Sequence, residues 1–339
     1  MTDRARAGVV GVGHLGAFHA AKLASTQGAE LVGVFDLDAD RAREIAGRSG
    51  CRAFADLQEL LGAVDCVSVA VSTAAHYEVA MAAIARGVHL LVEKPLAASL
   101  ARGRELVESA QRAGVLLYVG HLERFNPAFA DLPSIVGHPR FIECHRLAPF
   151  AGRGADTDVI FDVMIHDLDL IAFVVGRPVV SVEAIGVPVL SGHADISNAR
   201  LRFEGGCIAN VTASRVSLKR ERRLRIFQED AYVAVDFDAR SVRVVRRRSG
   251  AGPIDLASPM ESIEMEERTF ADDADPLRDE VAAFIGAVRG LRSTTGEVFG
   301  GGAEGLTGRD ALVALELAER VRDAMQAEND SMATGGRTS

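Results

Sequence analysis

The chain has 339 residues, 48% of them hydrophobic and 25% charged, a balance that excludes a disulfide miniprotein, a collagen-like repeat, wholesale disorder and a multi-span membrane bundle. At roughly 150 residues per domain, this length makes two domains with room for a core in each. The formal net charge of −9 argues against nucleic acid or anionic lipid as a partner, and the 38 cationic residues are skewed: Lys22, Lys94 and Lys219 are lysines and the other 35 are arginines.

From residue 7 to residue 120, short β-branched runs alternate with helical periods, the pattern of a parallel α/β sheet. Strands are predicted at 7–11, 31–35, 67–71, 89–93 and 116–120, with a weaker one at 52–54, and helices at 15–25, 39–48, 76–86 and 99–113. Gly50, Gly87 and Gly114 stand where three helices should stop, and Ser99 where one should be capped. This half is expected to be a Rossmann-type doubly wound nucleotide-binding domain.

Past residue 121 the rhythm changes. Pro127 opens a short helix, a strand follows at 140–146, and a loop at 151–154 leads into an apolar helix at 159–175. Strand-like runs then succeed one another at 179–189, 194–203, 207–214, 223–227, 232–237 and 242–245, and helices return at 276–289 and 308–325. Strands without helices between them imply a large, mostly antiparallel open sheet, so the second half is expected to be an α+β domain. The acidic stretch 261–275 and Gly300 to Gly302 read as exposed loop, and the basic runs 219–225 and 246–248 as solvated strand edge. The expected division is 1–122 for a cofactor domain, 123–326 for a substrate and oligomerisation domain, and 327–339 for a disordered tail. Alternation such as Val242-Arg243-Val244 leaves one sheet face open, a surface for a homo-oligomer, dimer or tetramer.

Cys51, Cys66, Cys144 and Cys207 contain no C-x-x-C pair and read as reduced thiols. No stretch approaches the roughly 18 apolar residues of a membrane span, and the first strand begins too early for a signal peptide, so a cytoplasmic protein is expected. The Asn210-Val211-Thr212 sequon would then meet no glycosylation machinery.

Three constellations carry chemistry. Gly11, Gly13 and Gly16, with His14 and Leu15 among them, have G-x-G-x-x-G spacing directly after the first strand. They permit a tight turn and a close approach of backbone to a pyrophosphate at a helix N-terminus. Asp36, twenty residues beyond Gly16, ends the second strand where a carboxylate accepts from an adenosine ribose, and with no arginine beside it NAD is favoured over NADP. Glu93-Lys94-Pro95 follows the fifth strand, at the sheet end that faces a ligand crevice. A chain that uses arginine almost everywhere has lysine here, and lysine exchanges a proton where arginine does not; the competing reading is chance placement on a solvated loop. Asp162, His166 and Asp169 lie four and seven residues apart on one predicted helix face among apolar neighbours. A carboxylate one turn from a histidine orients it as a general base, while a plain solvent-facing polar stripe remains the alternative. No third ligand accompanies them, so no metal is expected.

With GVGHLG, EKP and D-x-x-x-H in this order, the chain resembles the Gfo/Idh/MocA family of NAD(P)-dependent oxidoreductases over essentially its whole length. The resemblance implies an N-terminal Rossmann domain, a C-terminal open-sheet domain, NAD as cofactor and a sugar or cyclitol as substrate. It assigns Lys94 to the nicotinamide and the substrate hydroxyl, and Asp162 and His166 to the catalytic helix. HLERFNPA (121–128), HYEVA (76–80) and RRLRIFQEDAYVAVDF are similar to the branch of that family that oxidises the 3-hydroxyl of UDP-N-acetylglucosamine. That similarity implies substrate contacts at Arg124 and Asn126, against the alternative of a joint held by arginine pairing and a helix cap. Where the family often has Thr-Pro after the crevice strand, this chain has Ser72-Thr73-Ala74-Ala75. Ser72, Thr73, His76 and Glu93 join the expected cofactor contacts, and whether Lys94 or His166 is the immediate base stays open. A free aldose or inositol dehydrogenase, and a non-catalytic NAD-sensing regulator, are the competing functions.

Overall fold

The computed structural model describes residues 4–152, 157–248, 259–271, 274–293 and 307–335. The chain forms two compact units, Met1–Phe125 with Asp275–Leu315, and Asn126–Ala274 with Glu316–Ser339. Gly300 to Gly302 and half of the expected loop at 151–154 lie outside the described residues.

The first unit opens with β1 (Ala5–Val10), α1 (His14–Ser25), β2 (Ala29–Phe35), α2 (Ala39–Ser49), β3 (Arg52–Ala53), α3 (Leu57–Ala63), β4 (Cys66–Val69), α4 (Thr73–Ala85), β5 (His89–Val92), α5 (Leu100–Ala113) and β6 (Leu117–Val119). The strands form one parallel sheet in the order β3-β2-β1-β4-β5-β6. The order reverses between β1 and β4, and the carboxyl ends of strands at such a reversal open a crevice. All four residues of β4 are buried, as expected of a strand covered on both faces.

Local chemistry sets the helix ends. Asp38 and Ser99 accept from backbone amides of α2 and α5, and Gly50 and Gly114 end those helices at φ +67 and +65. The sequence reading missed α3, seven residues being too few to show a period. Asp56 caps it by accepting from Gln58 and Glu59, and its Leu60 lies so near Gly8 that a Cβ there would come within 2.9 Å.

The second unit contains α6 (Pro127–Ala130), β7 (Phe141–Leu147), a π-helical turn (Ile160–Met164) continuing into α7 (Ile165–Val175), then β8 (Val179–Val187), β9 (Ile196–Phe203), β10 (Ile208–Ser214), β11 (Glu221–Phe227), β12 (Ala231–Asp236), β13 (Ser241–Arg247) and β14 (Ile263–Thr269). They build an eight-stranded sheet in the order β14-β13-β12-β11-β7-β10-β9-β8, antiparallel except where β7 and β10 run parallel. The π turn and α7 pack on β7 and β10, covering one face.

Two expectations change here. Residues 263–269, read as acidic loop, form edge strand β14, because β13 supplies the complement: Arg243 meets Glu267 across the ladder at 3.0 Å. The basic run near 220 belongs to an interior strand, β11, rather than a sheet edge, and its arginines pair with acids: Arg223 with Asp236 at 3.1 Å and Arg225 with Glu143 at 3.4 Å.

Two C-terminal helices complete the chain. α8 (Pro276–Ser293) belongs to the first unit, where Val281, Phe284, Ile285 and Val288 join Leu23 and Tyr118 in one core. α9 (Gly308–Gly335) is divided between the units after Leu315 and continues past Gln326, where a disordered tail was expected. Tertiary contacts extend it: Met325 lies against Gly186, and Asn329 Nδ2 donates to the Gly186 carbonyl at 3.3 Å.

Candidate active site

In the first unit the turn from β1 to α1 is shaped by its own backbone. Gly11 has φ +82, and a Cβ there would stand 2.7 Å from Val71 Cγ1 and 2.8 Å from the Ala70 carbonyl oxygen. A Cβ on Gly16 would run into the Gly11 carbonyl oxygen. Gly13, the N-cap of α1, has nothing within 4 Å of its Cβ position. Two glycines are therefore required by the protein's own packing, while the third leaves the positive end of a helix open to an anion. His14 and Leu15, at the start of α1, are exposed.

Asp36 follows β2 with its carboxylate fixed by two backbone donors, Val12 N–H at 2.7 Å and Asp38 N–H at 2.9 Å. Each carboxylate oxygen accepts more than one bond, so capacity remains for a ribose hydroxyl. Open space at Gly13 together with an oriented Asp36 fits a dinucleotide: the turn would hold its pyrophosphate and Asp36 its adenosine ribose.

The crevice strands place the remaining first-unit candidates differently. Ser72, the N-cap of α4, is exposed and Thr73 is half-buried; Ser72 does not use its hydroxyl as a cap. His76 was expected to touch cofactor, but it is 1% exposed, and its ring nitrogens sit 2.8 Å from the Pro95 carbonyl oxygen and 3.2 Å from that of Val71. It ties the end of the β4 strand to the turn after Lys94, and burial lowers its pKa despite those carbonyls. Glu93, also expected on the cofactor, instead turns to His19, with Oε1 2.8 Å from Nε2. Lys94 is partly exposed after β5.

In the second unit Asp162 lies on the π turn and His166 on the first turn of α7, both partly exposed. Ile165 N–H donates to the Ile160 carbonyl five residues back. This wider turn sets the following residues back by one position, about 100° of rotation. Asp169, expected on the same face, is buried at 2% exposure. Between them Asp167, which the sequence reading passed over, forms a buried two-pronged pair with Arg146 of β7: Nε to Oδ2 at 3.0 Å and an outer guanidinium nitrogen to Oδ1 at 2.7 Å. An aspartate next to a candidate histidine, on a helix with few polar residues, was the available signal.

Arg124 sits partly buried in the 3₁₀ turn Leu122–Phe125. Asn126, an expected substrate contact, is held by its own unit. It is 7% exposed, its Oδ1 accepts from Ala128 N–H at 3.1 Å to cap α6, and its Nδ2 donates to the Phe237 carbonyl at 3.3 Å. The helix-cap alternative is the one its geometry matches.

Residues 5–121 match the family model described as an oxidoreductase family with NAD-binding Rossmann fold, GFO/IDH/MocA, and residues 135–234 match the GFO/IDH/MocA C-terminal domain. The UDP-N-acetylglucosamine 3-dehydrogenase of Acidithiobacillus ferrooxidans is 39% identical over 323 residues, 95% of this chain and 97% of that one. A crystal structure of that enzyme superposes with a TM-score of 0.85, covering 96% of this chain and 98% of the other at 37% identity. A myo-inositol 2-dehydrogenase of Thermotoga maritima is 29% identical over 250 residues, 68% of this chain and 75% of that one.

Proposed function

This chain belongs to the Gfo/Idh/MocA family of oxidoreductases with an NAD-binding Rossmann fold, and from that premise we propose that it oxidises the 3-hydroxyl of UDP-N-acetylglucosamine. The observation that carries the substrate is the 39% identity, sustained over 95% of the chain, to a dehydrogenase of that sugar nucleotide. Bound NAD supplies the hydride acceptor for C3. The open N-terminus of α1 at Gly13, with His14 and Leu15, receives the pyrophosphate, and Ser72 and Thr73 lie along the nicotinamide half. Asp36 accepts from the adenosine ribose, where a 2′-phosphate would meet like charge.

The other residues handle the proton. As C3 loses its hydride, His166 takes the hydroxyl proton, Asp162 orients the imidazole, and Lys94 stabilises the charge developing on the oxygen. Arg124 contacts substrate. The test is NADH formation with a panel of UDP-sugars, aldoses and inositols. Turnover of UDP-N-acetylglucosamine well above the rest is the expected result, and turnover of a free polyol without any UDP-sugar would overturn it. The identity to an inositol dehydrogenase makes that polyol the second reading.

The open face of the second unit's sheet supports a homo-oligomer. Register places Met265, Val245, Tyr232, Phe227, Phe141 and Ile208 in one row across six strands, with Phe227 and Tyr232 ring centroids 4.9 Å apart. A row of apolar side chains on an uncovered sheet face is a surface for a second copy. All four cysteines are free, in keeping with work in the cytoplasm.

A further inference from the structure

Lys94 stands between Glu93 and Pro95, and each of these neighbours is tied to a buried histidine of the same unit. On the Glu93 side, the carboxylate Oε1 lies 2.8 Å from Nε2 of His19 on α1, and His19 Nδ1 lies 2.9 Å from Ser68 Oγ of β4. One tautomer of a neutral imidazole satisfies both contacts, with Nε2–H donating to the carboxylate and Nδ1 accepting from the serine hydroxyl. The other carboxylate oxygen, Oε2, accepts from the Lys94 backbone N–H at 3.3 Å. Gly120, just past β6, walls the same group: a Cβ there would stand 3.3 Å from Oε2. Ser68 and His19 are each 1% exposed, so this serine, histidine and carboxylate present no nucleophile to a substrate.

On the Pro95 side, His76 of α4 places Nδ1 2.8 Å from the Pro95 carbonyl oxygen and Nε2 3.2 Å from that of Val71. Burial, the largest influence on it, lowers its pKa, so the ring carries a single N–H, which the shorter contact places on Nδ1 towards Pro95. Two histidines on two different helices therefore hold the residues before and after a lysine that is itself partly exposed.

A lysine side chain is a flexible stem, and a charge on it acts at a reacting atom only when the backbone that launches it is fixed. We propose that His19 and His76 are positioning residues that brace the chain on either side of Lys94, His19 through the Glu93 carboxylate and His76 through the Pro95 carbonyl, so that the lysine leaves the end of β5 in one direction. The proposal rests on the reading of Lys94 as a group acting at the substrate hydroxyl. It gives both buried histidines a part in the reaction without contact with cofactor or substrate.

The two histidines present opposite ring nitrogens to the chain, and that makes a crossed test. An asparagine amide reaches as far from Cβ as Nδ1 does, and a glutamine amide as far as Nε2. His19→Gln therefore keeps a donor for Glu93 and His19→Asn loses it, whereas His76→Asn keeps a donor for Pro95 and His76→Gln loses it. With NAD and UDP-N-acetylglucosamine, His19→Asn and His76→Gln should each lower kcat by about 10-fold or more, and His19→Gln and His76→Asn by less than about 3-fold. In a Lys94→Ala background the costly pair should lower the remaining rate by less than about 2-fold, because no lysine is left to position. Equal costs or the reverse ranking at either histidine overturn the proposal, since a side chain that only fills the core has no reason to prefer opposite amides at two places. An undiminished cost in the Lys94→Ala background overturns it too. Should one variant fail to fold, the pair at the other histidine decides.

A ligand-free arm separates the brace from the reading of Lys94. With lysines only at 22, 94 and 219, protein labelled with ¹⁵N-lysine gives three backbone amides to follow by hydrogen exchange. His19→Asn should speed exchange at Lys94 by about 10-fold or more relative to Lys22 and Lys219, and His19→Gln by less than about 3-fold. An unchanged Lys94 rate in His19→Asn overturns the brace whatever the activity. If the exchange responds as expected while Lys94→Ala keeps full activity, or while no protein turns over the sugar nucleotide, the reading of the site fails and the brace stands.

Discussion

The two segments assigned to the chemistry, the glycine turn of the first unit and the Asp162–His166 helix of the second, are held by different physics. At the turn, sterics between atoms close in the fold decide everything: Gly11 and Gly16 leave no room for a Cβ, and Gly13 leaves room that only a ligand would use. On the helix, no steric rule of the sequence sets the phase. A buried Arg146–Asp167 pair ties the helix to strand β7. A site of the first kind is damaged by any added carbon, while one of the second kind is damaged by loss of a distant partner.

The sharpest way to test that contrast is at the residues proposed to handle the proton. His166→Ala and Lys94→Ala are each expected to lower kcat by about 10² to 10⁴-fold while NAD affinity, read by calorimetry, stays within about 3-fold. Full activity in both would remove the assignment. Asp167→Ala should then reproduce part of the His166 defect from a position that contacts no substrate. It removes the carboxylate paired with the buried Arg146 guanidinium and should cost about 3–5 kcal/mol in denaturant unfolding. If stability and kcat both hold, the helix does not depend on its partner strand and the comparison breaks.

The glycines separate next. Gly16→Ala should cost more than about 3 kcal/mol because backbone must move, whereas Gly13→Ala should cost less than about 1 kcal/mol yet weaken NAD binding measurably. Unchanged NAD affinity in Gly13→Ala would show that open space at Gly13 has no bearing on the cofactor.

Asp195 offers a pH test of a third kind of support, inside the second unit. Burial alone would raise its carboxyl, but the amides of Leu190 and Ser191 and the Arg215 guanidinium hold it far below the ordinary value. A lowered folded pKa means that its stabilisation is complete above the unfolded value near pH 4 and is lost as pH falls below it. Asp195→Asn should lower the midpoint at pH 7 and flatten the acid limb of the stability profile. The smallest effect belongs to the exposed Arg243–Glu267 pair, where Arg243→Ala should change stability by less than about 1 kcal/mol.

How much was legible followed the range of the interactions involved. Strands such as β4, buried on both faces, read as apolar runs, and helices closed by Gly50 and Gly114 announced their ends, because those signals are local. The strand β14 did not, since five charged or polar residues become a strand only against the arginines of β13. The end of α9 was misread for a similar reason, its last turns being held by Gly186 of a strand some 140 residues away. Among site residues, Gly11, Gly13, Gly16 and Asp36 lie on or beside the turn after β1. The bonds of His76 to the Pro95 and Val71 carbonyls, of Glu93 to His19 and of Asn126 to the Phe237 carbonyl join residues far apart or of unrelated pattern, and no local spacing foretells them.

The sequence by itself determined the cofactor turn, the order of strands and helices in the first half, the run of strands in the second and the membership in an oxidoreductase family. Backbone conformation and apolar periodicity are properties of neighbouring residues and survive in one dimension. Only the tertiary structure decided that Asp167 pairs with Arg146 of a distant strand and that His19 claims Glu93. Those outcomes depend on which side chains are brought together out of water, where an unpaired charge is too costly to keep, and that is settled by packing between distant parts of the chain.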